Sequence, residues 1–188
     1  MLSGFYNDIR NLITLAQPDP AYSLYTYINI GTYSTHGGTL THSVSWNNLS
    51  VNAGAGITGR YNIYADSGDF KKYLYSPDFN ANVQYLFRKI NLTAAVYFKY
   101  NGELPGYKVN SDNTITQFSN SSYRFLDATL RKGFFNKRLY AAAGVKNILD
   151  VTNITGFSQE SAHSSSSGEQ AVSTGRNYFV RLQYNIGK

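Results

Sequence analysis

Apolar and polar residues alternate with a period of two along much of this chain. The alternation is clearest near the C-terminus, where every second position is apolar or aromatic: Tyr178, Val180, Leu182, Tyr184 and Ile186. Because successive side chains of a β-strand point to opposite faces of its sheet, this pattern predicts a strand with one apolar and one polar face. The same alternation returns in segments that begin near Val51, Ala81, Leu92, Leu126 and Leu139. Most of the chain is therefore predicted to be β-sheet.

Eight strands account for the alternating segments, at about residues 2–14, 28–46, 50–65, 79–88, 91–103, 122–134, 139–149 and 175–187. Phe5, Ile9 and Ile13 supply the apolar set of the first strand, and His42 interrupts that of the second. The connections differ in length: short ones lie at residues 47–49, 89–90 and 135–138, and long polar ones at residues 16–27, 66–78, 104–121 and 151–174. Their alternation predicts tight turns at one end of the sheet and long loops at the other.

Tight turns at one end, long loops at the other and apolar faces rich in Tyr and Phe are together typical of a transmembrane β-barrel wall. Alternating strands also build soluble sandwiches and small ligand-binding barrels, whose apolar face points into a packed core. Here the polar positions are mostly Asn, Thr, Ser and Gly, and the apolar ones Ala, Tyr and Val, which suits a wide, wet lumen. We therefore expect an all-β fold, an antiparallel transmembrane β-barrel wall with short periplasmic turns and long extracellular loops.

Composition agrees with a membrane wall and excludes several other classes of protein. Charged residues make up 15% of the 188 residues, below the roughly 25% of soluble domains, and the chain contains 17 Tyr and 11 Phe. It has no Cys, which excludes a disulfide scaffold, a Cys-ligated zinc site and a thiol nucleophile. No window offers the roughly 20 apolar residues of a spanning helix, and residues 1–15 lack the features of a secretion signal.

Catalytic, metal-binding and nucleic-acid-binding interpretations each rest on weak features. The three histidines, His36, His42 and His163, have no metal-like spacing. Glu160 and His163 precede Ser164–Ser167 in the last long connection, but a polar loop alone does not hold a catalytic triad in its geometry. The pI near 9.4 suits a nucleic-acid partner, yet the basic residues occur singly or in pairs. We expect no enzymatic activity, no cofactor, no metal and no nucleic-acid partner.

Several segments resemble the C-terminal end of TonB-dependent outer-membrane receptors, especially those of the Bacteroidetes type. Residues 134–153 include the stretch GVKNILDVTN, which resembles the penultimate strand of that family with its Lys-Asn-hydrophobic-hydrophobic-Asp signature. Residues 175–186 resemble the closing strand, and residues 76–82 and 97–107 resemble strands before it. The resemblance implies a location in the cell outer membrane and TonB-dependent uptake of a bulky nutrient, such as an iron chelate, cobalamin or a glycan.

Two departures from the family pattern affect this interpretation. The family's last strand commonly ends on an aromatic residue, whereas this one ends Ile186-Gly187-Lys188, with Tyr184 the nearest aromatic. Family members also have an N-terminal plug domain, a TonB-contacting segment and about 22 strands. We therefore interpret residues 1–188 as a single β-barrel segment, the last eight strands of a larger barrel, without the plug or the TonB box. Contact with TonB would run only through the missing N-terminal part.

The polar positions of the strands carry basic residues that we expect to face the lumen: Arg60, Arg88, Lys99, Arg131, Lys146 and Arg181. Of the 11 acidic residues, only Asp8 and Asp127 fall well inside predicted strands. Breaking an ion pair in a packed interior costs roughly 3 to 5 kcal/mol, so this excess favours a wet wall or one that faces an acidic plug. The expected partners are outer-membrane lipid, the rest of the barrel and the plug. The alternative is an autonomous eight-stranded barrel that acts as a structural anchor or binding module.

Aromatic residues in the long connections are the candidates for ligand contact, because exposed aromatic side chains on loops are common at binding surfaces. They are Tyr73, Tyr75, Tyr107 and Phe157. A solvated loop tip without a binding role is the competing interpretation. These residues do not identify the ligand, because the plug and most of the loops that would select it lie outside this segment.

Overall fold

The computed structural model describes residues 1–11, 13–16, 26–29, 32–61, 71–109, 115–156 and 168–186. These residues form fourteen β-strands and one short 3₁₀ turn, Arg88–Ile90. No helix among them is long and apolar enough to span a membrane. The strands are β1 (Leu2–Arg10), β2 (Ile13–Ala16), β3 (Thr26–Asn29), β4 (Thr32–Trp46), β5 (Leu49–Tyr61), β6 (Tyr73–Phe87), β7 (Leu92–Asn101), β8 (Leu104–Val109), β9 (Ile115–Asn120), β10 (Tyr123–Phe134), β11 (Leu139–Lys146), β12 (Asn153–Thr155), β13 (Glu169–Ala171) and β14 (Asn177–Tyr184).

Eight of the strands form one antiparallel sheet in the order β1-β4-β5-β6-β7-β10-β11-β14, and we call these eight the wall strands. Each wall strand pairs with the next one along the chain, so the sheet is a meander. The other six strands form the hairpins β2-β3, β8-β9 and β12-β13, which lie within three of the long connections. The prediction of eight antiparallel strands is confirmed, whereas the sequence pattern did not predict the hairpins between them.

The turn end of the sheet is closed by short connections with left-handed backbone conformations. The φ angle of Asn47 is 52° between β4 and β5, and that of Asn91 is 49° just before β7. Asn adopts this conformation more readily than most residues with a side chain, because its amide can hydrogen-bond locally. The turns are joined into a continuous rim by hydrogen bonds from the backbone N–H of a neighbouring strand: Leu86 to the Asn48 carbonyl oxygen (2.8 Å), Gly133 to that of Asn91 (3.0 Å) and Asn185 to that of Arg138 (2.8 Å).

The register of the wall strands sorts their side chains into two faces. One row of residues that lie opposite each other across the sheet is wholly apolar: Val44, Val51, Val83, Val96, Ala128, Val145 and Tyr178. The adjacent row, on the other side of the sheet, is mostly polar: Ser43, Asn52, Asn82, Tyr97 and Asp127. We call the two sides the apolar face and the polar face.

No other described element covers the apolar face. Ile154 in β12, which is 9% exposed, is the one buried hydrophobic residue in the described part of the chain. On the apolar face itself Leu130 is 54% exposed and Val180 is 77% exposed. A soluble sandwich buries such a face against a second sheet, so the arrangement argues against that alternative. It is the arrangement expected of a sheet whose apolar face meets lipid.

The structure corrects the predicted phase of the first strand. The sequence pattern placed Phe5, Ile9 and Ile13 on an apolar face, and this prediction is wrong. Phe5 lies opposite Gly37 and Ile9 opposite Tyr33, which puts both on the polar face, and Ile13 belongs to β2. Packing against β4 explains the difference: a Cβ atom at Gly37 would lie 2.8 Å from the Phe5 ring, so the ring occupies space that only glycine leaves free.

Candidate functional site

The middle of the apolar face consists mainly of small and branched aliphatic side chains, with the exceptions of His42 and of Phe79 and Phe98, whose ring centroids are 6.1 Å apart. The aliphatic side chains include Ala53, Val83, Val96, Ala128, Leu130, Ala143 and Val180. Their small size leaves a shallow hollow of about 470 Å³ across β7, β10, β11 and β14. A smooth aliphatic surface of this kind suits contact with lipid acyl chains.

Aromatic side chains border this aliphatic zone in two girdles. The turn-end girdle contains Trp46, Tyr85, Phe87, Phe134 and Tyr184, and the loop-end girdle contains Tyr6, Tyr61, Tyr73, Tyr75, Tyr100 and Tyr178. On β6, Tyr85 lies ten positions after Tyr75. At ~3.3 Å per residue this is ~33 Å along the strand, or ~25 Å across the membrane for a strand tilted by ~40°. The spacing matches the apolar band of an outer-membrane barrel, which is about 25 Å tall.

Tyr73 and Tyr75 lie in the loop-end girdle, and the prediction that they belong to a long loop is wrong. β6 begins six residues earlier than predicted, because Tyr73 opposite Tyr61 and Tyr75 opposite Gly59 continue its pairing with β5. The ring centroids of His36 and Tyr73 are 4.5 Å apart, and His36 Nε2 lies 3.0 Å from the Tyr75 hydroxyl oxygen. Ligand contact by these two tyrosines stays a prediction, which their position on the apolar face does not favour.

Four charged residues of the described wall strands lie on the apolar face, all near its ends: Asp8, Arg10, Arg124 and Lys132. Arg124 Cζ is 5.9 Å from the centroid of the Tyr100 ring, and Lys132 Nζ is 5.7 Å from that of Phe134. The other two residues form an ion pair of 3.4 Å between Arg10 Nε and Asp8 Oδ2. Long basic side chains at such borders reach the polar headgroups while their aliphatic stems stay on the apolar surface.

Five of the six basic residues predicted to face the lumen lie on the polar face: Arg60, Lys99, Arg131, Lys146 and Arg181. Arg88 does not. β6 ends at Phe87, and Arg88 lies in the following 3₁₀ turn, where its Nη2 donates to the Asn47 carbonyl oxygen at 3.4 Å. Its predicted placement within a strand is therefore wrong. Among the described residues, no carboxylate forms an ion pair with any of the other five cations.

The acidic residues of the polar face differ from those predicted. Asp8 was expected inside the first strand as a partner for lumen cations, but it lies on the apolar face beside Arg10. Asp78, expected in a loop, lies in β6 opposite Gly56 and Asn101. Asp127 is on the polar face as predicted, and its Oδ1 accepts the Asn147 backbone N–H at 2.8 Å. The polar face thus keeps an excess of positive charge.

Asn147, the second residue of the signature stretch, ties the end of β11 to its surroundings. It is 4% exposed, and its φ angle is 51°. Its side-chain amide donates to the Val151 carbonyl oxygen at 2.8 Å and to Ser173 Oγ at 3.3 Å, while its Oδ1 accepts the Val151 N–H at 3.1 Å. Together with the backbone bond to Asp127, these contacts fix the chain as it leaves the wall.

Asp150 and Arg176 extend this arrangement to β14, and we call Asp127, Asn147, Asp150 and Arg176 the loop-end lock. Asp150 Oδ1 accepts the Arg176 backbone N–H at 2.8 Å. Arg176 Nε and Nη2 both donate to the Ile148 carbonyl oxygen, at 3.1 and 2.7 Å. The Ile148 N–H donates to the Leu126 carbonyl oxygen of β10 at 2.7 Å. The signature that carries the sequence resemblance therefore has a structural role, because it joins β10, β11 and β14.

The other candidates lie in or near the long connections. Tyr107 is part of β8, opposite Gln117 of β9, so it belongs to a long connection as predicted. Phe157 and His163 lie outside the described residues, as do Ser164–Ser167. Within the described ranges, no three His, Asp or Glu side chains converge in a way that suits a metal ion.

An antiparallel meander with an apolar face between two aromatic girdles, a polar opposite face and tight turns at one end is the wall of a transmembrane β-barrel. The chain belongs to the outer membrane protein beta-barrel family, which matches it over residues 1–184. It is therefore an outer-membrane protein, and the predicted fold class is confirmed. No curated protein and no solved structure shows significant similarity to the chain.

Proposed function

We propose that this chain supplies wall and extracellular loops to a TonB-dependent receptor that takes up a bulky nutrient. The observation that carries the proposal is the open sheet: β1 and β14 are its edges, and neither has a second partner among the described residues. Lipid does not tolerate the unpaired N–H and C=O groups of an edge strand. Further strands beside β1 and β14 would remove both edges in a barrel of the large size used by outer-membrane transporters, and pairing of β1 with β14 would do so in a small one; the charge of the polar face favours the large barrel.

The charge of the polar face supports the same proposal. Five basic residues lie on it, against the two carboxylates Asp78 and Asp127. An eight-stranded barrel fills its interior with side chains, so that most of these cations would be buried without a partner. The lumen of a larger barrel holds water and polypeptide, which satisfy such groups.

The alternative proposal is an autonomous eight-stranded barrel that serves as an anchor or a binding module. One observation favours it: β1 runs toward the loop end and β14 toward the turn end, so the two edges have the antiparallel orientation that closure requires. An even number of strands is also usual for small barrels of this type.

In the receptor proposal, ligand binding takes place at the loop end and no residue has a catalytic role. The hairpins β2-β3, β8-β9 and β12-β13 belong to the connections at that end, and Tyr107 of β8 is the remaining described candidate for ligand contact. An iron chelate, cobalamin or a glycan is the ligand class that follows from the resemblance. A plug carried elsewhere in the receptor would then release the ligand inward under the action of TonB.

Uptake measurements test the transport proposal. Cells that express the protein in its natural context would be supplied with a labelled iron chelate, cobalamin or oligosaccharide, with the TonB system intact or inactivated. We expect uptake of one ligand class, lost both when TonB is inactivated and when the protein is deleted. Uptake that is unchanged by either alteration for all three classes would refute the proposal.

Disulfide scanning across the two edges tests the barrel size separately. Asn7→Cys on β1 would be combined in turn with a cysteine at Asn177, Phe179, Arg181 or Gln183, which all lie on the polar face of β14. A larger barrel predicts no disulfide in native membranes for any pair. Efficient formation in one register would demonstrate eight-stranded closure, and Asn7→Cys with Thr35→Cys on the paired strand β4 serves as the positive control.

A further inference from the structure

Two arginines of the polar face lie in one row across β10, β11 and β14. Arg131 is opposite Ala142, and Ala142 is opposite Arg181. Their Cα atoms are therefore two strand spacings apart, or about 10 Å. Ala142, which lies directly between them on β11, has only a methyl group, and Tyr140 of the same strand packs against the Arg131 guanidinium. We propose that this pair, with the hollow around it, is a binding site for the carboxylates of an acidic peptide segment.

The hollow around the two arginines has a volume of about 320 Å³. Tyr140 and Phe179 give it aromatic walls, and Thr129 and Gln183 add a hydroxyl and an amide. Arg131 Cζ lies 4.0 Å from the centroid of the Tyr140 ring, within the range of a cation–π contact. Stacking of this kind holds the guanidinium plane while leaving its N–H edge free, which is the edge that binds a carboxylate with two parallel hydrogen bonds.

Neither arginine has an acidic partner among the described residues. Asp127 is the acidic residue of β10 on the same face, four positions from Arg131 and so about 13 Å away along the strand. One of its carboxylate oxygens already accepts the Asn147 N–H. Both arginines are exposed, so their guanidinium groups are accessible to carboxylates that the described part of the sheet does not provide.

The mixed character of the hollow favours a peptide over a small inorganic anion. An inorganic anion would use only the two guanidinium groups. A peptide with carboxylates on separate side chains can engage both arginines across the gap of about 10 Å. Its backbone can hydrogen-bond to Thr129 and Gln183, and its apolar atoms can contact Tyr140 and Phe179.

This inference rests on the part of the proposed function that gives the barrel a wide lumen holding polypeptide, and it goes beyond the transport function itself. It requires only that the polar face of β10, β11 and β14 lies against polypeptide in the assembled barrel. Loss of TonB-dependent uptake and loss of peptide binding are thus separate results, and either one can fail while the other holds.

A binding measurement is the first test. The intact protein, purified from outer membranes in detergent micelles, would be titrated with a labelled short peptide that carries two glutamates three positions apart, and with a matched peptide that carries two glutamines. We expect saturable binding of the acidic peptide only, weakened about tenfold by Arg131→Gln and by Arg181→Gln. Arg124→Gln removes an arginine from the apolar face and is the matched control, expected to leave binding unchanged. Equal binding of both peptides, equal loss in all three variants, or full displacement by millimolar phosphate would overturn the proposal.

A zero-length cross-linking experiment tests the site in native outer membranes. Arg131→Lys and Arg181→Lys place an amine beside a bound carboxylate, and carbodiimide then joins the two groups as an amide while it takes up the water and becomes a urea. Mass spectrometry is expected to find the amine introduced at position 131 or 181 joined to an Asp or Glu side chain of one defined polypeptide segment. Arg124→Lys is expected to give no such product. If the native lysines react but positions 131 and 181 do not, no acidic segment occupies the site.

Discussion

The two faces of the wall sheet are both open to their surroundings but are stabilised in different ways. Val83 and Gln84 are neighbours on β6, yet Val83 lies between Val51 and Val96, whereas Gln84 lies between Ser50 and Ala95. On the apolar face, side chains contact other aliphatic or aromatic groups and leave a surface for lipid. On the polar face, hydrogen bonds such as that between Asp127 and Asn147 replace these apolar contacts. The comparison shows that this sheet has no core of its own and that each face depends on what surrounds it.

The largest expected effect follows from placing the same charge on each face in turn. Ala81→Arg puts a guanidinium on the apolar face of β6 about midway between Tyr75 and Tyr85, and is expected to lower the free energy of unfolding by about 3 kcal/mol, because a charge near the bilayer midplane is poorly solvated. Gln84→Arg puts it on the polar face, where we expect a change below about 1 kcal/mol. Urea titration of the protein folded in phospholipid vesicles measures both. Equal destabilisation would mean that the assignment of the two faces is wrong.

A substitution in the loop-end lock measures how much the side-chain hydrogen bonds near the polar face contribute to stability. Asn147→Ala removes three side-chain hydrogen bonds of a residue that is 4% exposed, and we expect it to cost about 2 kcal/mol of unfolding free energy. Asn136→Ala is a matched control, since Asn136 has nearly the same φ angle, 52° against 51°, but lies in an exposed turn. A similar cost for both variants would show that backbone conformation, and not the side-chain bonds, explains the effect.

Two glycines of β5 allow a finer comparison of the faces. A Cβ atom at Gly59, on the apolar face, would lie 2.7 Å from a Tyr75 ring carbon and 2.9 Å from His36 Nε2. Gly59→Ala is therefore expected to cost about 1 kcal/mol of unfolding free energy by displacing these rings from the loop-end girdle. At Gly54, on the polar face, the nearest atom is the Asn80 side-chain nitrogen at 3.1 Å, which can move aside. We expect Gly54→Ala to be neutral or slightly stabilising in the same titration, since Ala suits a strand better than Gly.

The division of the wall strands into an apolar and a polar face could largely be predicted from the sequence, because alternation with period two indicates which side chains share a face. It succeeded for β5, β7, β10, β11 and β14, whose apolar positions lie opposite one another in the structure. It failed for Phe5 and Ile9, where the register with β4 and the space left by Gly37 outweigh the local pattern. A period-two signal defines two faces but does not by itself say which one meets lipid.

The candidate site was harder to predict, because it depends on contacts between distant segments. Tyr73 and Tyr75 follow a charged stretch and precede Pro77, which suggests a loop, but pairing with Tyr61 and Gly59 extends β6 through them. The Asn147 stretch was recognisable by resemblance, whereas its bonds to Asp127 and Ser173 depend on residues 20 and 26 positions away. The row that places Arg131 near Arg181 depends on two strand registers, which alternation alone does not specify.

The smallest effect concerns the lysines of the two faces. Lys132 lies on the apolar face at the turn end, with Nζ 5.7 Å from the centroid of the Phe134 ring, whereas Lys99 lies on the polar face opposite Asn80 and Phe125. A basic side chain at the membrane border interacts with anionic headgroups, so part of the stabilisation that anionic lipid gives should come from Lys132. We expect Lys132→Ala to reduce the difference in unfolding free energy between anionic and neutral vesicles by about 0.5 kcal/mol. Lys99→Ala should leave that difference unchanged, because its side chain points away from lipid. If Lys99→Ala has the larger effect, the polar face, and not the apolar one, contacts the headgroups.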